Sequence, residues 1–96
     1  MTILNSKIIN INNHKTSIRL ANGEWSAINT ICYIENIKKN YLFELINNNK
    51  NSNIGLTSAV RIFCIAYLTN ECLTSQAYSK KASNKQTLEY AISNII

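Results

Sequence analysis

The sequence predicts a mainly α domain with a short N-terminal β-ribbon, assembled from two copies of the chain. Three observations lead there. From His14 to Leu20 the residues alternate with period two, so Thr16, Ile18 and Leu20 share one side of an extended strand and Lys15, Ser17 and Arg19 the other. Helical spacing then takes over at Glu24-Trp25. Further on, the segment from Ala59 to Leu68 is apolar all round except at Arg61, and such a helix must be buried on nearly every side. A chain of 96 residues has a small core of its own, so the covering neighbours are expected from a second copy.

Taken in order, Lys7 to Ile11 and Lys15 to Leu20 read as two short strands around Asn12-Asn13-His14, where asparagines tolerate the left-handed backbone of a tight turn. The apolar parity changes there: Ile9 and Ile11 are odd, Ile18 and Leu20 even. Either the turn resets the pairing or the first segment is an arm leaving the body. Asn22 is the expected cap of a first helix, Glu24 to Glu35, with Trp25, Ile28, Ile31 and Cys32 inward. A second helix is expected from Lys39 to Asn47, facing the core with Leu42, Leu45 and Ile46. The polar run from Asn47 to Asn53 is a loop.

Thr57 is the expected cap of the third helix. The chain is polar from Thr74 to Lys85, and Leu88, Ala91, Ile92 and Ile95 mark a short docking helix within Thr87 to Ile96. The predicted organisation is an N-terminal arm at 1–6, a domain at 7–69 and a C-terminal extension at 70–96.

Ten Lys and Arg against five Glu and no Asp give a net charge of +5, which favours a polyanionic partner. Sixteen asparagines and sixteen isoleucines point to an AT-rich coding sequence rather than to chemistry. The three cysteines, Cys32, Cys64 and Cys72, lack metal-ligand spacing, and the first residues lack the basic-then-apolar pattern of a signal segment. Reduced thiols and a cytoplasmic location are expected. The apolar run Ile62 to Leu68 falls far short of the roughly 20 residues a membrane span needs. Catalysis has little support: the one histidine, His14, has no partner at a motif spacing, and Gly23 and Gly55 form no phosphate loop. No metal and no cofactor are expected.

The front of the basic strand is the candidate site. Lys15, Ser17 and Arg19 do not suit an ordinary core strand, because burying that face would bury charge. A groove lined with phosphates and base edges suits them. Trp25, Ile28, Phe63 and Tyr67 stand at helical rather than strand spacing and read as core rather than as a stacking platform for single strands. Arg61 requires an acidic partner, a carbonyl or a dimer surface.

Several pieces, in order, resemble the ribbon-helix-helix family of DNA-binding proteins, of the MetJ/Arc repressor kind, and within it a small alphaproteobacterial-type domain. They are Ile9-Asn10-Ile11, Asn13-His14-Lys15-Thr16-Ser17-Ile18-Arg19-Leu20, Glu24-Trp25 and Leu56-Thr57-Ser58-Ala59-Val60-Arg61-Ile62-Phe63, within about residues 5–69. The resemblance implies an intertwined dimer in which the strand of one chain pairs with its twin, the helices of both chains share one core, and the ribbon enters the major groove. On that likeness Lys15, Ser17 and Arg19 contact base edges, and Arg19 has the donor fork for guanine. Lys38 and Lys39, at the N-terminus of the second helix, contact phosphate. Ile18, Leu20, Trp25, Ile28, Phe63 and Tyr67 form the dimer core.

This sequence departs from the family in Asn13 for a turn glycine, Glu24 for an aromatic, Asn22-Gly23 for a proline-containing helix start, and Lys38-Lys39 for a Ser or Thr cap. The function implied is that of a homodimeric transcriptional repressor of double-stranded DNA, an autoregulator or an antitoxin. The alternative is an interaction module whose positive face or C-terminal extension docks on a protein partner. The short, basic extension argues mildly against a long toxin-wrapping tail.

Overall fold

In the computed structural model, residues 3–77 and 84–96 are described. The chain runs as β1 (Leu4–Ile11), β2 (His14–Ala21), α1 (Asn22–Glu35), α2 (Lys39–Asn49), α3 (Leu56–Ala77) and α4 (Asn84–Ser93). The two strands form one antiparallel sheet within the chain.

The parity question is settled by the turn. Asn12 and Asn13 both take positive φ, 52° and 68°, as a two-residue hairpin loop of mirror-image type requires. Ile11 therefore pairs with His14, and every odd position of β1 faces an even position of β2. Ile9 and Ile11 thus join Ile18 and Leu20 on the buried side. The first strand begins at Leu4, inside the segment expected to be an arm. Within the chain the ribbon is a hairpin, with β1 paired to β2.

β1 lies beside α2, whose side chains meet the end of its outer edge next to the turn. The Asn10 N–H donates to Asn40 Oδ1 at 3.3 Å and the Asn12 N–H to Glu44 Oε2 at 3.2 Å, while Asn12 Nδ2 donates to Asn48 Oδ1 at 3.2 Å. Asn40, Glu44 and Asn48 are four apart and so share one face of α2.

The cap of α1 is Ala21, not Asn22. Ala21 has no side-chain acceptor, so only the backward half of a capping box forms, with Glu24 Oε1 accepting the Ala21 N–H at 2.8 Å. The Asn22 amide oxygen instead accepts from Asn5 on β1. Asn36, in the left-handed conformation at φ 58°, closes the helix. Helix α3 also starts earlier than expected. Its first turn runs from the Gly55 carbonyl to the Ala59 N–H, 3.0 Å away, which leaves Thr57 inside the helix rather than at its cap. The helix passes the expected end at Leu68 and continues to Ala77. Of the polar stretch 74–85, residues 78–83 lie outside the described residues, as does the Cys72 side chain.

One core unites the hairpin and all four helices: Ile18 and Leu20 from β2, Trp25, Ile28 and Ile31 from α1, Leu42, Phe43 and Ile46 from α2, and Ala59, Val60, Phe63 and Tyr67 from α3 are buried. Helix α4 belongs to it through Ala91, and the turn that follows the helix through Ile95, both fully buried. Asn70 Nδ2 donates to the buried Thr87 Oγ1 at 3.2 Å, and the Asn51 N–H to the Ile95 carbonyl at 2.6 Å. The apolar side of the extension is thus occupied by its own chain.

Two outcomes check this architecture by urea unfolding. Asn13→Gly raises stability by up to about 1 kcal/mol, since glycine adopts positive φ without Cβ strain. Ile95→Ala costs about 2 to 4 kcal/mol through the cavity it leaves, whereas Ile96→Ala, at a side chain 69% exposed, stays within about 0.5 kcal/mol.

Candidate nucleic-acid interface

The pairing register decides which side chains share the outer face. Ser6 stands opposite Arg19, Ile8 opposite Ser17 and Asn10 opposite Lys15, and cross-strand partners project to the same side of a sheet. All six are exposed. Lys15, Ser17 and Arg19 thus lie together on the solvent face, and no carboxylate shares it with them. β1 brings to that face Ser6, Ile8 and Asn10, which sequence reasoning missed. Their signal was present in the hairpin reading, because a two-residue turn makes the even positions of β1 the neighbours of Lys15, Ser17 and Arg19.

The free edge of the sheet belongs to β2. Ladder bonds alternate along an antiparallel pair, and the closing pair Ile11–His14 sets the phase. The main-chain groups of Lys15, Ser17 and Arg19 therefore point away from β1, where this two-stranded sheet has no further strand. Between α1 and α3 lies an apolar groove lined by Gly23, Ala27, Val60, Cys64, Ile65 and Leu68, together with Glu24 and Arg61. Ile65 is 68% exposed, and Ile62 and Leu68 stand partly in water. These exposed side chains belong to the helix whose apolar character required covering neighbours. The six residues expected in a dimer core, Ile18, Leu20, Trp25, Ile28, Phe63 and Tyr67, are all buried within the single chain.

The Arg61 partner is Glu24. The guanidinium Nε sits 2.8 Å from Glu24 Oε2, with both side chains partly exposed. Glu24 thereby joins the end of β2, the start of α1 and the first turns of α3. Its carboxyl is held below the usual value of 4.5 by the Ala21 N–H and then by Arg61, against the opposing effect of burial.

At the N-terminus of α2, Lys38 is the cap residue, in extended conformation and without a side-chain hydrogen bond. It is exposed, and Lys39 is half-buried. The Lys39 ammonium lies 5.6 Å from the centre of the Trp25 ring, and that of Lys7 lies 4.9 Å from it. Trp25 is itself fixed by its Nε1–H, which donates to the Asn5 carbonyl at 3.0 Å, and by an edge contact with Phe43. Three cations therefore gather around one helix N-terminus, and Lys7 is the member that the sequence did not single out.

Among the described side chains, Cys32 and Cys64 offer no reactive thiolate. Burial pushes the Cys64 thiol up to about 12 and raises that of half-buried Cys32. Among the described residues no cluster of His, Cys or Glu is placed to hold a metal ion, and no helix is long and apolar enough to cross a membrane.

Fold and site together define a class of small domain in which a β-ribbon with a basic outer face rides on a helical core. The chain matches the family described as ribbon-helix-helix domain over residues 4–68, and it belongs to that family. No curated protein and no solved structure matches it. Ribbon-helix-helix domains bind DNA as dimers and are not enzymes, so at that level the chain is a DNA-binding protein.

Glu24 gives the junction a pH signature. Because its folded pKa is lowered, its stabilising contribution is present above the ordinary carboxyl range and is lost as pH falls through the folded value. Wild type unfolds at higher urea than Glu24→Gln near about pH 7. The two midpoints converge on acidification through the carboxyl range, and a gap independent of pH shows that the charge has no part in the junction.

Proposed function

We propose that the chain is a homodimeric, sequence-specific DNA-binding regulator that acts as a transcriptional repressor. The observation that carries this reading is the face on which Lys15, Ser17 and Arg19 stand together in solvent, beside a strand edge with unpaired main-chain groups. A second copy pairs its β2 with that edge and covers Ile62, Ile65 and Leu68. The two basic strands then lie side by side at the centre of a four-stranded sheet. Two adjacent strands fit a major groove about 12 Å wide.

Arg19 presents its fork to guanine, and Lys15 and Ser17 reach base edges or phosphates beside it. Lys38, Lys39 and Lys7, with the free amides at the start of α2, hold the DNA backbone. The reading as a protein-interaction module through the C-terminal extension loses its main support, because Ala91 and Ile95 already face the core of their own chain.

A binding-site selection on randomised duplexes, followed by titrations at several salt concentrations, tests the proposal. Log affinity is expected to fall linearly with log salt. Arg19→Ala flattens base preference by about 1 to 3 kcal/mol at one position of each half-site, whereas Lys38→Ala weakens all sequences alike and lowers the salt slope by about 1. Selection of no consensus by wild type, or of the same consensus with the same discrimination by Arg19→Ala, refutes direct readout through the ribbon.

A further inference from the structure

We infer that Ile8 is a second specificity-determining residue, one that reads the 5-methyl group of thymine, an inference that rests on the reading of the ribbon face as the DNA-binding surface. The side chain is 71% exposed on an otherwise polar part of the face, directly opposite Ser17 and flanked across the sheet by Arg19 and Lys15. It takes no part in the core, whose β1 members are Ile9 and Ile11. Charge complementarity selects the partner: the same face carries Lys15 and Arg19 with no carboxylate, so a polyanion is the surface that meets it.

Strand spacing places the contact. With strands about 4.8 Å apart, a sheet ordered β1-β2-β2-β1 across two copies spans about 14 Å between its outer strands, slightly more than the roughly 12 Å width of the major groove. The inner strands face the groove floor, and the outer strands meet its walls. The thymine methyl is the apolar feature of the major-groove edge, and it projects beside the backbone of its own strand, within reach of a branched apolar side chain on an outer strand. Ser6 and Asn10, two residues to either side of Ile8 on the same face, carry polar groups for sugar and phosphate oxygens. β1 thereby adds a hydrophobic readout to the hydrogen-bonding readout of β2.

The test uses the full chain and the duplex it selects, with each thymine replaced in turn by deoxyuridine, which removes only the methyl. Wild type is expected to lose about four-fold in affinity per methyl at one position of each half-site, or about fifteen-fold over the two. Ile8→Ala shows the same loss on the thymine duplex and no further loss on deoxyuridine, while its thermal unfolding matches wild type because the site is exposed. Arg19→Ala retains the deoxyuridine effect. Indifference of wild type to every replacement, or an undiminished effect in Ile8→Ala, overturns the assignment of Ile8 and leaves the ribbon reading intact. Failure of wild type to prefer any duplex overturns both.

Discussion

A two-residue turn governs this structure. Asn12 and Asn13 hold positive φ and set a register in which odd positions of β1 oppose even positions of β2. A one-residue slip turns every side chain of a strand to the other face, so this register alone lets Ile9 and Ile11 of β1 point inward together with Ile18 and Leu20 of β2. The cations of β2 then have no place except the outer face. Separation of core from binding surface across one sheet thus rests on a conformation that asparagine tolerates better than other non-glycine residues.

The sheet edges are treated unequally, and that asymmetry gives the domain its direction. At the turn end of β1, the Asn40 side chain of α2 accepts the outward N–H of Asn10, and Glu44 accepts that of Asn12 in the turn. Edge strands otherwise template pairing with other chains, and α2 occupies the last part of that edge on one side. Along β2 no element among the described residues does the same, and Glu24 meets its main chain at Ala21. The unpaired stretch coincides with Lys15, Ser17 and Arg19, so whatever extends the sheet also extends the basic face.

Membership in the ribbon-helix-helix family accounts for the ribbon and the helices through Leu68, and residues beyond it add a local solution to burial. Helix α4 and the turn after it bring Ala91 and Ile95 into the core, while Ile65 remains in solvent and Ile62 and Leu68 partly so. The C-terminal extension therefore covers only part of the apolar surface of α3, and Ile62 and Ile65 line a cavity beside its Tyr90 and Asn94. Glu24 and Arg61 join α1 and α3.

Much of this was legible in the residues. Period-two alternation identified β2 and its two faces, because strand geometry converts parity directly into sidedness. Helical spacing identified α1, α2 and the inward positions Trp25, Ile28 and Leu42, and an arginine in an apolar helix announced a partner. The identity of that partner was not legible, since Glu24 is 37 positions away from Arg61 in the chain and only packing of α1 against α3 brings them together. The caps at Ala21 and before Leu56 were misread for a related reason: Asn22 and Thr57 have favourable cap chemistry, but the path from β2 and the Gly55 turn start each helix a residue or more earlier. Local sequence determined the strand, its charged side and the helical faces, because those follow from the fixed periods of the backbone. Tertiary structure decided that β1 completes the hairpin, that Ser6, Ile8 and Asn10 share the basic face, and that β2 keeps the open edge, because register and edge coverage depend on residues distant in the chain.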